Sequence, residues 1–170
     1  MSRVDADEWI AQATARLDAG EVVAIPLDGG EALAADALHE TAALALREAL
    51  GLPADAPLDV VVGGFEDLGH VAFATPLARR LADAFWPGTL AMRLRARPYV
   101  PDEVTAAGEH VAVRAPVDER TRALARHFGP IAVAPSAGSA RVDATGEEAK
   151  VLRDGAPAAA EVEAVGRRGD

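Results

Sequence analysis

The run from Leu58 to Val62 constrains the fold more than any other part of this chain. It is short and near-continuously apolar, the mark of a strand buried on both faces. Ile131 to Ala134 repeats the pattern. Strands of this kind need helices above and below them, and helical segments alternate with them along the sequence. Asp5 with Glu8 forms a capping box for a first helix, whose apolar side carries Trp9, Ile10, Ala13 and Leu17 and which ends at Gly20. A strand from Val22 to Ile25 follows, stops at Pro26 and opens a Gly-rich turn. A second helix is expected from about His39 to Leu50, closed by Gly51.

After the Leu58 run, a Gly-Gly step leads to a short helical turn near Glu66. Thr75-Pro76 then starts a third helix, a hydroxyl cap followed by proline at the first position. Leu77, Leu81, Ala84 and Phe85 should face inward, and the helix ends at Trp86-Pro87-Gly88. Leu90, Met92 and Leu94 alternate with Arg93 and Arg95, as in a strand with one wet face. Val111 to Val113 reads as a strand and Asp118 to Phe128 as a helix closed by Gly129. The expected fold is α/β, a single domain built on a twisted, open, mixed sheet with flanking helices. Beyond Gly155 the composition thins to Ala, Glu, Gly and Arg, and residues 156–170 are expected to form a poorly ordered tail.

Composition narrows the function classes. The chain has 170 residues, half of them apolar, enough for one buried core. It contains no apolar run of about 18 residues, so no membrane span is expected. The acidic start MSRVDADEW lacks the apolar core of a signal peptide, and a cytoplasmic protein is expected. The absence of cysteine excludes disulfides and thiol catalysis within this sequence. The net charge of −10 argues against broad nucleic-acid binding, which draws its affinity from cations on phosphates. Lys150 is the single lysine. The four histidines, His39, His70, His110 and His127, lie far apart, and no metal site is expected from them.

Four segments carry a resemblance, in order and at compatible spacing. They are GEVVAIPLDGGEALAAD (Gly20 to Asp36), LGLPADAPLDVVV (Leu50 to Val62), FWPGTLAMRL (Phe85 to Leu94), and VAVRAP with APSAG (Val111 to Pro116, Ala134 to Gly138). Together they resemble the YrdC family, which includes the threonylcarbamoyl-AMP synthases that supply tRNA modification. The resemblance covers residues 4–155. It implies a cleft that takes ATP, threonine and bicarbonate, bordered by Pro26, Leu27, Asp28, Gly29, Leu50, Leu52, Arg114, Pro135, Ser136 and Gly138.

Position by position, the family's reactive groups are thinned out. Pro26, Asp28 and Leu33 match the opening motif, but Leu27 and Gly29 stand where the family has hydroxyls and Glu31 where it has a tyrosine. Leu50 and Leu52 occupy the positions of the family's lysine and arginine, and Gly138 that of its asparagine. Negative charge developing on a nucleotidyl group has to be met by cations and fixed donors. Leucines supply neither.

Arg114, Asp28 and Ser136 remain as candidates to bind substrate or nucleotide. Arg114 matches the family arginine that engages a substrate carboxylate, although a surface ion pair would also explain it. Ser136 suits an anionic oxygen or a turn cap. Asp28 suits a ligand or simply an Asp-Gly turn. Arg93, Arg95 and Arg97 recur at period two, as a solvated face or as a short anion-facing stripe. Two functions stay open: a diverged domain, impaired in catalysis, that holds a small ligand or a protein partner in the ancestral cleft; and an active synthase-like enzyme whose missing cations come from elsewhere in the fold. ATP and Mg would be required only by the second. A third reading, RNA binding, sits poorly with the acidic charge.

Overall fold

A computed structural model of the chain describes residues 2–167. Helix α1 spans Arg3–Asp18. Its capping box is Ser2 with Asp5, not Asp5 with Glu8, because the serine hydroxyl accepts from the Asp5 N–H. Strand β1 (Val23–Leu27) runs through Pro26 rather than stopping there. Proline is tolerated because β1 lies at the sheet edge, where a missing N–H breaks no second ladder. Asp28 and Gly29, both at positive φ, form a two-residue turn that returns the chain as β2 (Gly30–Asp36). Such turns match strand twist when both central residues adopt φ > 0, which Asp-Gly does readily.

Helix α2 (Glu40–Leu50) is capped by the His39 ring and closed by Gly51 in the left-handed region. Strand β3 (Asp59–Val61) leads through a short 3-10 turn (Phe65–His70) to α3 (Pro76–Phe85). In α3 the residues that turn inward are Leu77, Ala78, Leu81 and Ala82, whereas Ala84 is exposed. Next come β4 (Ala91–Arg95), the single turn α4 (Asp102–Thr105), β5 (His110–Arg114), α5 (Glu119–Phe128) and β6 (Ile131–Val133). Strands β7 (Arg141–Asp143) and β8 (Lys150–Arg153), which like β2 the sequence did not suggest, complete the sheet. Helix α6 (Ala159–Arg167) then occupies most of the segment expected to be a poorly ordered tail; residues 168–170 of that segment lie outside the described residues. Burial of Val162 in the larger core anchors α6.

The eight strands run in the order β1-β2-β6-β3-β5-β4-β7-β8. The sheet is mixed: β3 pairs parallel with β5 and β4 parallel with β7, while the other pairs are antiparallel. Neighbouring residues on one strand go to opposite cores. Val60 and Ala132 join the larger core, built with α2, α3, α4 and α6. Val61 and Val133 join a smaller one, built with α1 and α5. Each fully buried leucine here contributes about 1.5–3 kcal/mol. The smaller core covers only one end of its face, over β1, β2, β6 and the tip of β3. The rest of that face is where charged side chains gather.

Candidate functional site

Strand register identifies the groups on the uncovered part of the sheet. Asp59 lies opposite Ala112, and Val61 opposite Arg114. Arg93 lies opposite Ala112 on one side and Asp143 on the other, and Ala91 opposite Arg141. All therefore share the face of Val61, away from the larger core. Such polar groups can be buried only if they are paired.

The pairs are present. Arg114, 1% exposed, donates from its two terminal nitrogens to both Asp28 oxygens at 2.8 Å. Asp59, 1% exposed in its side chain, accepts from Arg141 at 2.7 Å and from the Ser136 N–H at 3.1 Å. Arg93 donates to Asp143 at 2.6 Å. Burial pushes the Asp143 carboxyl up, but the Thr145 hydroxyl and N–H and the Arg93 guanidinium outweigh that and hold it at about 2. Arg153 donates to the carbonyls of Ser136 and Ser139, and the two serine hydroxyls bond at 2.8 Å. The Ser136 loop is thus fixed by Asp59 from below and Arg153 from the side.

Two hollows open on this framework. One, about 670 Å³, is bordered by Asp28 and Gly29 of the β1-β2 turn, Ser136 to Ser139, Thr89 and Asp118. The other, about 290 Å³, has Ala91 and Ala112 as a small apolar floor, with Arg93, Arg141, Pro135 and Leu152 around it. Asp28, Gly29, Ser136 and Gly138 therefore meet in one hollow, Arg114 stands behind Asp28, and Pro135 borders the adjacent hollow. Pro26 and Leu27 lie in β1, where Leu27 is buried in the smaller core and the Pro26 carbonyl accepts from the Thr121 hydroxyl. Leu50 and Leu52 lie elsewhere, half-buried against the larger core.

Asp59, Arg141, Arg153, Ser139, Thr89 and Asp118 belong to this region without having been singled out in the sequence. Asp59 carried a readable signal: it is the one charged residue inside the Leu58 to Val62 run. Arg95 and Arg97 lie over the ring of Phe73, 5.9 and 4.1 Å from its centre.

The fit to a nucleotide can be judged from these partners. Arg114, Arg141 and Arg93 are already paired with carboxylates, and Arg153 is hydrogen-bonded to carbonyls, so among the described residues three of these four guanidinium groups are charge-compensated before any triphosphate arrives. Among the described residues no group of three or more Asp, Glu or His side chains is placed to hold a metal. No described helix is long and apolar enough to cross a membrane.

A family model for Sua5, YciO and YrdC, described as Telomere recombination, matches residues 15–158. The chain belongs to the Sua5/YciO/YrdC family. Relatives of this family include the threonylcarbamoyl-AMP synthase of Bacillus subtilis, 38% identical over 133 residues, an alignment covering 77% of this chain and 38% of that protein. The threonylcarbamoyl-AMP synthase of Pyrococcus abyssi is 39% identical over 115 residues, covering 66% of this chain and 34% of that protein. The chain thus spans less than two-fifths of the length of these two family members. Among solved structures, that of P. abyssi Sua5 complexed with L-threonine matches with a TM-score of 0.82 at 31% identity, over 93% of this chain and 57% of that one. Escherichia coli YciO, at 18% identity and a TM-score of 0.76 over 92% of this chain and 93% of its own, shares the fold. The YrdC-like α/β fold expected from the four segments is the fold observed.

Proposed function

We propose that this chain is a diverged YrdC-like domain that holds a small ligand in the hollow between Asp28 and Ser136 and does not turn over ATP. One observation carries this reading. Three arginines on the open sheet face are neutralised from within, Arg114 by Asp28, Arg141 by Asp59 and Arg93 by Asp143, Arg153 is held by the Ser136 and Ser139 carbonyls, and the leucines at the family's cation positions pack on the larger core. A triphosphate entering here would have to break an existing ion pair to gain neutralisation from any of those three. Two lost charge-assisted hydrogen bonds alone cost about 3–6 kcal/mol, or roughly two to four decades in affinity. The ligand is expected to be small, bound through hydroxyls and backbone rather than through cations, and encountered in the cytoplasm.

A second reading, an active synthase-like enzyme using ATP, threonine and bicarbonate, is favoured by the 38–39% identity to proteins named as threonylcarbamoyl-AMP synthases. Titration calorimetry with ATP and a pyrophosphate-release assay with threonine and bicarbonate separate the two. The first reading expects no micromolar ATP binding and no release; turnover would replace it with the second.

A further inference from the structure

A third hollow, about 400 Å³, lies away from the Asp28–Ser136 region, at the carboxyl ends of the parallel pair β3 and β5. The chain leaving β3 crosses to α3 on the larger-core side, and the chain leaving β5 turns to α5 on the smaller-core side. In open α/β sheets such a divergence leaves a crevice that is the usual place for ligands. The turn from Trp86 to Thr89, tied to the Ala115 carbonyl by the Gly88 N–H at 2.8 Å, leads from this crevice to the Asp28–Ser136 hollow.

The groups facing the crevice are unevenly satisfied. Its two carboxylates have arginine neighbours: Asp83 has Arg79 at 3.6 Å and Glu66 has Arg126 at 3.9 Å. Arg122 differs. It is half-buried, its NH1 nitrogen donates to the Pro116 and Val117 carbonyls, and among the described residues no carboxylate lies within salt-bridge distance. On the opposite wall Gly63 is buried and its carbonyl accepts from Arg126 at 3.0 Å, and the Glu66 carboxylate lies against Gly64. Beside Gly63 lies the Asp67 carboxyl, whose Oδ2 is buried and unpartnered; burial, and then Glu66, push its pKa up. Trp86, fixed by its indole N–H on the Leu90 carbonyl at 2.9 Å, and Phe65 supply the flat apolar walls.

We propose that this crevice is a second ligand site, for a small planar anion whose carboxylate or phosphate group meets the Arg122 guanidinium, which lacks a carboxylate partner among the described residues, while its ring lies against Trp86. The size is at the lower end of small-molecule pockets, and a charged residue beside aromatic walls is a usual composition. The site is independent of the Asp28–Ser136 hollow and stands or falls separately.

The chain has two tryptophans, so Trp9→Phe leaves Trp86 as the only indole reporter. Phenyl phosphate, benzoate and neutral benzamide are titrated against its fluorescence. Saturable quenching by either anion and not by benzamide is expected; tighter phenyl phosphate points to a phosphate ligand, tighter benzoate to a carboxylate. Arg122→Gln should weaken binding about tenfold, the loss of one charged hydrogen bond. Should that variant not fold, Arg126→Gln, at an exposed residue on the same rim, should weaken it in the same direction. Ser136→Ala should leave the titration unchanged, which separates this site from the other hollow. No saturable response to either anion, equal response to benzamide, or an affinity indifferent to both arginine changes overturns the proposal.

Discussion

Arg114 and Asp28 lie 86 positions apart in sequence and meet through two parallel bonds of 2.8 Å, the arginine 1% exposed and the aspartate side chain 46% exposed. The buried cation is therefore balanced by a group on the tip of an edge hairpin. Its Nε has no partner, so nothing else in the described residues shares that burden.

Removing the carboxylate should be costly. Asp28→Asn keeps a residue that tolerates the left-handed turn but strands the guanidinium, and a loss of about 3 kcal/mol is expected. Acetate added to the buffer should recover part of that loss by taking the vacated place. Chemical denaturation with and without acetate tests this; wild-type stability in the variant would show that the pair contributes nothing.

Asp59 and Arg141 make a second test. Asp59→Ala leaves both Arg141 and the Ser136 N–H without their acceptor, at a cost of roughly 3 kcal/mol. Asp59→Leu combined with Arg141→Leu should be markedly less harmful than Asp59→Ala, because a buried pair replaced as a unit leaves no orphan charge. Equal damage from both variants would mean that the loop depends on something other than this pair.

The leucines at the family's cation positions are packed, not idle. Leu50→Lys with Leu52→Arg should lower stability by about 1–3 kcal/mol, moderated because long basic side chains can carry their charge out to water. ATP affinity should not rise, since both positions lie against the larger core and not at the hollow. A stable double variant that binds ATP would argue for a cleft that has merely lost its cations.

Asp143 predicts an acid-side loss. Its folded pKa of about 2 is below the ordinary 3.8, so the ionised carboxylate, held by the Thr145 hydroxyl and N–H and then by Arg93, stabilises the fold above the ordinary value, and that contribution is lost as pH falls from near 4 towards 2. The contribution is on the order of 1–2 kcal/mol after solvent screening. Urea melts of the wild type and Asp143→Asn between pH 5 and 2 should converge as pH drops; parallel curves would contradict the assignment.

Helices α1, α2, α3 and α5 and the buried strands were legible because their signals are local: the Thr75-Pro76 start, the closing Gly51, the apolar runs at Leu58 and Ile131. Strand β2 was not. Its sequence, GEALAAD, is rich in alanine and has little intrinsic preference for a strand; pairing with β1 and β6 makes it one. Strands β7 and β8 are short and charged for the same tertiary reason, and α6 lacks a strong apolar pattern yet is held by Val162. At the site, the residue types at Asp28, Arg114 and Ser136 could be picked out from motifs. The partners that decide their chemistry could not, because Asp28–Arg114 and Asp59–Arg141 join segments 86 and 82 residues apart.

The docking of β2 onto β6, Ala34 opposite Val133, has a consequence for how the molecule is made. Among the described residues the first helix and hairpin join the rest of the sheet through β6 alone, which is encoded about a hundred residues later. On the ribosome, α1, β1 and β2 emerge before β6 and must wait while α2 to α5 are synthesised, their apolar faces open to other partners. A pairing this distant slows folding and lengthens exposure to association. Pro26 on the outer strand and the acidic first helix are placed where they would discourage another chain from completing the sheet during that wait.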